Sequence, residues 1–106
     1  MAIEELPPFL QKVIRKYPDV WEKFESLGQA IAEATTLDDK TRELVKLGIA
    51  VAAGREGAVH SHTRRCRALG WTPEEIYQVG LLAVTTIGWS GAVRALSWMD
   101  DELHAL

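Results

Sequence analysis

The sequence is short of the features that assign a function most quickly. It has one cysteine, Cys66, so no disulfide can close within the chain. A lone thiol suits a reducing compartment. No apolar run approaches the roughly 20 residues a helix needs to cross a bilayer. The start, Met1-Ala2-Ile3-Glu4-Glu5, is acidic and then reaches Pro7-Pro8, unlike the basic and apolar opening of a secretory signal. The expectation is a soluble, cytoplasmic protein with no membrane partner. Positive charge is not in excess: 12 basic residues face 15 acidic ones, for a net charge of −3. The signs are interspersed, so nucleic acid is not an expected partner. Arg64, Arg65 and Arg67 form the one basic cluster, which reads as a solvated helix face. Nothing alternates with period two for long enough to make a strand.

What the sequence does have is helical periodicity. Its 106 residues fit one domain, 1–106, with N-terminal helices over 1–34 and a core over 37–104. The composition is 47% hydrophobic with four Trp. A domain this small buries a limited share of its surface, so part of that apolar area is expected to lie against other copies of the chain. The fold class is all-α, with about six helices. Phe9 to Lys16 has helical apolar spacing, and Pro18 stands where a second helix places proline in its first turn. Val20, Trp21, Phe24, Leu27, Ala30 and Ile31 make that helix's stripe. A third helix opens at Leu37-Asp38-Asp39, where acids suit the positive end of the dipole, and Gly54 breaks it. A fourth runs from about Arg55 to Leu69, stopped by Gly70. Thr72-Pro73-Glu74-Glu75 reads as a capped start. The fifth helix is apolar almost all round and is expected to be central and buried. Gly88 ends it, and Ser90 can cap the sixth.

The candidate chemical groups are Glu43, Glu56, His60, His62 and Cys66. Helical geometry sorts them. Glu56 and His60 share a face with Arg64 and Arg67, while Ala58, His62 and Cys66 share another with Leu69. His60 and His62 are two apart, roughly 200° around the axis, and point away from each other. Two histidines on one helix chelate at spacing four, so no metal site is expected. His62, on an apolar-looking face, is either a hydrogen-bonded core residue or a general acid/base. Cys66 sits well inside its helix, where the dipole does not lower a thiol pKa.

The stretch Leu37 to Trp98 resembles the carboxymuconolactone decarboxylase family, which includes alkylhydroperoxidase D-like proteins. The carrying residues are Lys40-Thr41-Arg42-Glu43-Leu44-Val45, Glu56-Gly57-Ala58-Val59-His60-Ser61-His62-Thr63, Gly70-Trp71-Thr72-Pro73-Glu74-Glu75-Ile76 and Gly88. In the family's peroxidase branch the fourth helix opens with a C-x-x-C pair followed by a histidine. His62 matches that histidine, and Arg55 and Ala58 occupy the two cysteine positions. Gly57 stands where that branch has a second histidine, and Glu43 matches the family's glutamate on the preceding helix. The resemblance therefore implies a retained Glu43–His62 pair without thiol–disulfide chemistry. It implies a cofactor-free lyase-like enzyme acting on a small lactone or carboxylic acid, with His62 as acid/base and Glu43 orienting it. Arg55 or Arg42 is the candidate anion contact, with His60 and Cys66 completing the substrate-binding set. A homo-oligomer, trimer or hexamer, is implied as well. The alternatives are a non-enzymatic helical oligomer that binds a small ligand or partner protein, and a degenerate peroxiredoxin-type antioxidant protein.

Overall fold

The computed structural model describes residues 3–106; Met1 and Ala2, part of the acidic start noted above, lie outside them. A 3-10 turn, Ile3–Glu5, precedes six helices: α1 Pro8–Lys16, α2 Pro18–Glu33, α3 Asp39–Ala53, α4 Glu56–Ala68, α5 Pro73–Ile87 and α6 Trp89–Leu103. The described residues contain no strand. The all-α expectation holds. The chain divides into two compact units, with the boundary between Thr36 and Leu37.

In the first unit Pro8 opens α1 and Pro18 opens α2, positions where a fixed φ favours the helix and a missing N–H costs nothing. Along α2, Val20, Phe24, Leu27 and Ile31 recur at spacings of four, three and four and are all exposed. Trp21 and Phe24 pack with ring centroids 5.6 Å apart.

The second unit holds the core: Leu47, Ala50, Val51, Val59, Cys66, Ile76, Tyr77, Ala95 and Met99 pack into one buried cluster. Asp38 caps α3, accepting from the Thr41 amide at 2.7 Å, so the helix starts at Asp39 with Asp38 outside it. Gly54 ends α3 with φ +66, a left-handed cap that a residue with a Cβ enters at a cost. The capping box at Thr72 and Glu75 is present in both directions, as the sequence predicted. The Trp71 indole N–H donates to the Lys40 carbonyl at 2.8 Å, tying the turn before α5 to the start of α3.

Two local expectations are corrected. Ser90 does not cap α6: Gly88 holds the N-cap position, and no side-chain cap forms. Nor is α5 buried all round. Ile76, Tyr77 and Gly80 are buried, whereas Leu82 is 73% exposed and Leu81 and Ile87 are also open. The helix packs against α6 and α3, with a smaller contact to α4, and no element of the unit covers its remaining face.

Gly80 shows why α5 and α6 approach closely. A Cβ at this position would lie 2.6 Å from Leu96 Cδ2 and 2.8 Å from Leu96 Cγ. Alanine gains about 1 kcal/mol of helix propensity over glycine, but overpacking costs about 1–3 kcal/mol. Gly80→Ala is therefore expected to destabilise the protein by about 1 kcal/mol net, read as a lowered urea midpoint. A midpoint that rises would show that Leu96 yields freely.

Candidate functional site

The site is built on the hairpin of α3 and α4. The short Gly54-Arg55 link turns the chain back, and Leu47, Ala50, Val59, Thr63 and Cys66 are buried on the two helices. Glu43 lies one turn before Leu47, and His62 one turn before Cys66. Helical spacing therefore places the carboxylate and the imidazole at the margin of the same packed seam. There His62 Nδ1 donates to Glu43 Oε1 at 2.7 Å, with 18% and 12% of the two side chains exposed.

Lys46 Nζ stands 3.8 Å from Glu43 Oε2. Burial of Glu43 acts to raise its pKa. The hydrogen bond from His62 and the charges of His62, Lys46 and Arg65 act the other way and prevail, leaving the carboxyl below its ordinary value. Glu43 is thus an ionised acceptor at neutral pH. With Nδ1 engaged by Glu43, the other ring nitrogen, Nε2, has no hydrogen-bond partner among the described residues. That is the arrangement in which a carboxylate orients an imidazole and leaves its second nitrogen to exchange a proton.

Cys66 lies one turn beyond His62 in the packed seam. It is fully buried. Burial first, and the Glu43 charge second, push its thiol up to about 11. A nucleophilic thiol needs the opposite environment. The Arg42 guanidinium pairs with Asp39 and donates to the Leu37 carbonyl. Arg55 holds the N-cap of α4 with an exposed side chain, and no hydrogen bond or ion pair joins that side chain to Glu43 or His62.

His60 lies apart from the pair. It points away from His62, as the spacing required, and enters a separate network. Its Nδ1 lies 2.8 Å from Glu102 Oε2 and its Nε2 3.3 Å from Glu56 Oε2. Arg64 donates to the other Glu102 oxygen at 3.0 Å. This network joins α4 to α6 and takes Arg64 out of the solvated cluster. No group of three or more His, Cys, Asp and Glu side chains among the described residues is placed to hold a metal ion. Lys46 was not singled out in the sequence, and Arg65 was read only as part of the solvated basic cluster. Their signal was the i, i+3 spacing, Glu43 to Lys46 and His62 to Arg65.

An apolar groove of about 320 Å³ runs between α3 and α5 past Leu44, Gly48, Ala52, Val79 and Ala83. Glu43 and His62 are not among its lining residues. No helix among the described residues is long and apolar enough to cross a membrane.

The lowered Glu43 pKa has a consequence for stability. A carboxyl whose pKa is depressed in the folded state contributes stability above its ordinary value, near 4.5. That contribution is lost as pH falls through the folded value. Glu43→Gln is expected to be less stable than the parent at pH 6, with the gap closing toward pH 3. Urea midpoints across that range check it. A gap that stays constant would show that the carboxylate is not held ionised by the fold.

An all-helical unit with an ionised glutamate and an imidazole presented by adjoining helices defines the class of protein. The sequence profile of the carboxymuconolactone decarboxylase family matches residues 18–101, and the chain belongs to that family. The crystal structure of apo-lpg0406, a carboxymuconolactone decarboxylase family protein from Legionella pneumophila, superposes with a TM-score of 0.69 at 30% identity. That match covers 88% of this chain and 86% of the Legionella chain. An uncharacterized Methanocaldococcus jannaschii protein, MJ0742, is 30% identical over 91 residues, covering 84% of this chain and 88% of its own length. An uncharacterized Haemophilus influenzae protein is 40% identical over 48 residues, a segment that spans 45% of this chain and 42% of the relative.

Proposed function

We propose that this family member carries out cofactor-free acid/base chemistry on a small lactone or carboxylic acid, with His62 as the proton-exchanging group and Glu43 as its orienting partner. The observation that carries this reading is the 2.7 Å bond from His62 Nδ1 to Glu43 Oε1 at a partly open seam. Glu43 fixes the tautomer and ring plane, and its charge stabilises the imidazolium formed when Nε2 takes a proton. Decarboxylation leaves an enolate or carbanion, and a placed imidazolium can return the proton to carbon. The reading is tested by incubating the purified full chain with small lactones and keto acids in D2O and following consumption and deuterium uptake by NMR. Turnover that requires His62 supports it, and absence of turnover across the set opposes it.

The burial of Cys66 and its raised pKa oppose the peroxidase reading. Cys66→Ser is expected to leave turnover of a lactone or keto acid within about twofold of the parent, since the thiol is not poised to react. Loss of turnover in that variant, with the fold intact by circular dichroism, would bring sulfur back into the mechanism.

The second reading is a helical homo-oligomer that binds a ligand or a partner protein without turning anything over. It is favoured by the apolar side chains left open on unit surfaces, among them Val45, Ile49 and Leu82. Exposed apolar area of this kind marks contact surfaces. Self-association is compatible with either reading. Light scattering that returns 11.8 kDa, the mass of one chain, would refute it.

A further inference from the structure

We propose that Arg65 holds the carboxylate of the substrate at the Glu43–His62 pair, so that the anion contact lies on α4 one turn beyond the histidine. The proposal rests on the acid/base reading of that pair.

The argument is a census of the cations. The chain has seven arginines. Arg15 bonds Gln11 and Arg42 bonds Asp39 and the Leu37 carbonyl. Arg64 pairs with Glu102, Arg67 donates to the Trp71 carbonyl, and Arg94 lies over the Trp98 ring. The side chains of Arg55 and Arg65 have no hydrogen bond, ion pair within 4 Å or ring contact among the described residues. Arg55 is exposed and seven residues before His62, about 10 Å along the helix axis. Arg65 is half-buried and three residues after His62, a spacing that makes neighbours on a helix surface. Its charge is one of those felt by Glu43, which places it within electrostatic reach of the pair.

A half-buried guanidinium that no side chain of the protein engages keeps its donors for a ligand. Its donors form a fork that fits a carboxylate through two parallel bonds. Lys46, 3.8 Å from Glu43 Oε2, adds a second positive charge. Glu43 is the one carboxylate bonded to His62, so the two cations outnumber the fixed anion at the pair. A substrate carboxylate would correct the imbalance. Docked on Arg65, it would bring carbon atoms two or three bonds away toward the His62 ring.

The test uses the full chain and levulinate, a small γ-keto carboxylate, with its neutral methyl ester as control. Levulinate is expected to shift the Arg65 Nε–H and His62 ring signals in NMR titrations, while the ester does not. Arg65→Gln should weaken levulinate binding at least about tenfold, and Arg65→Lys should retain part of it, because charge survives without the fork. Retention of the His62 to Glu43 hydrogen-bond signal in both variants confirms that the pair is intact. Equal binding of acid and ester, unchanged affinity in Arg65→Gln, or no perturbation at any soluble concentration would overturn the assignment. Deuterium uptake at C3 of levulinate in the same samples reads the acid/base proposal separately. Uptake that ignores Arg65 sinks the anion contact alone. Arg65-dependent binding without uptake sinks the proton chemistry alone.

Discussion

His62→Gln is expected to lower turnover of any substrate of this protein by about two orders of magnitude or more, the usual contribution of a positioned acid or base. Glutamine approximates the reach of the imidazole, and its amide N–H can still donate to Glu43. The 2.7 Å contact that joins α3 to α4 at this point therefore has a substitute, and the fold is expected to survive. What glutamine lacks is a ring nitrogen that can bind and release a proton. The loss should fall on kcat and on kcat/KM alike, because proton transfer is made in the transition state and not in the bound ground state. Circular dichroism and a thermal midpoint measured alongside separate loss of chemistry from loss of structure. Turnover that is unchanged in a folded His62→Gln protein would remove His62 from the reaction and leave Glu43–His62 as a structural bond between packed helices.

The pair was legible in the sequence only through resemblance. Nothing in composition or spacing joins position 43 to position 62, because they lie on different helices and their contact depends on how the hairpin closes. The helices themselves were legible from local chemistry. Gly54 and the Thr72–Glu75 box mark ends that depend on a few neighbouring residues, and each appears where expected, while α3 opens at Asp39, with Asp38 as its cap, two residues after the expected start at Leu37. Within α4, spacing alone separated His60 from His62, and the structure sends them to Glu102 and Glu43 respectively. The misreadings have one cause. Whether α5 is covered depends on which elements reach it. Ser90 was weighed for its capping propensity, although Gly88 already set the start of α6. Apolar composition gave α5 a buried character that the packing delivers on one face only.

Leu47→Ala is expected to destabilise the protein by about 3 kcal/mol, within the range of about 2–5 kcal/mol seen for such truncations. Leu47 is fully buried in the core of the second unit. The loss combines transfer of the removed carbons with the cavity left where the surrounding helices cannot close in. For a domain whose whole stability is of order 5–15 kcal/mol, that is a large fraction. Urea midpoints at one fixed protein concentration measure it, since self-association would otherwise add to the apparent stability. Leu47→Ile, which keeps the volume, should cost less than about 1.5 kcal/mol. The position also bears on chemistry. Leu47 is one turn beyond Glu43 on the α3 face turned toward α4, so its packing fixes the height and tilt from which the carboxylate meets His62. An orienting group loses its effect when its distance varies by an ångström or so. Leu47→Ala should therefore weaken the hydrogen-bonded His62 Nδ1 proton signal at temperatures well below unfolding, while Leu47→Ile preserves it. If Leu47→Ala loses its stability but keeps that signal unchanged, Glu43 is held by its own contacts with His62 and Lys46, and the core beneath is not what orients the pair.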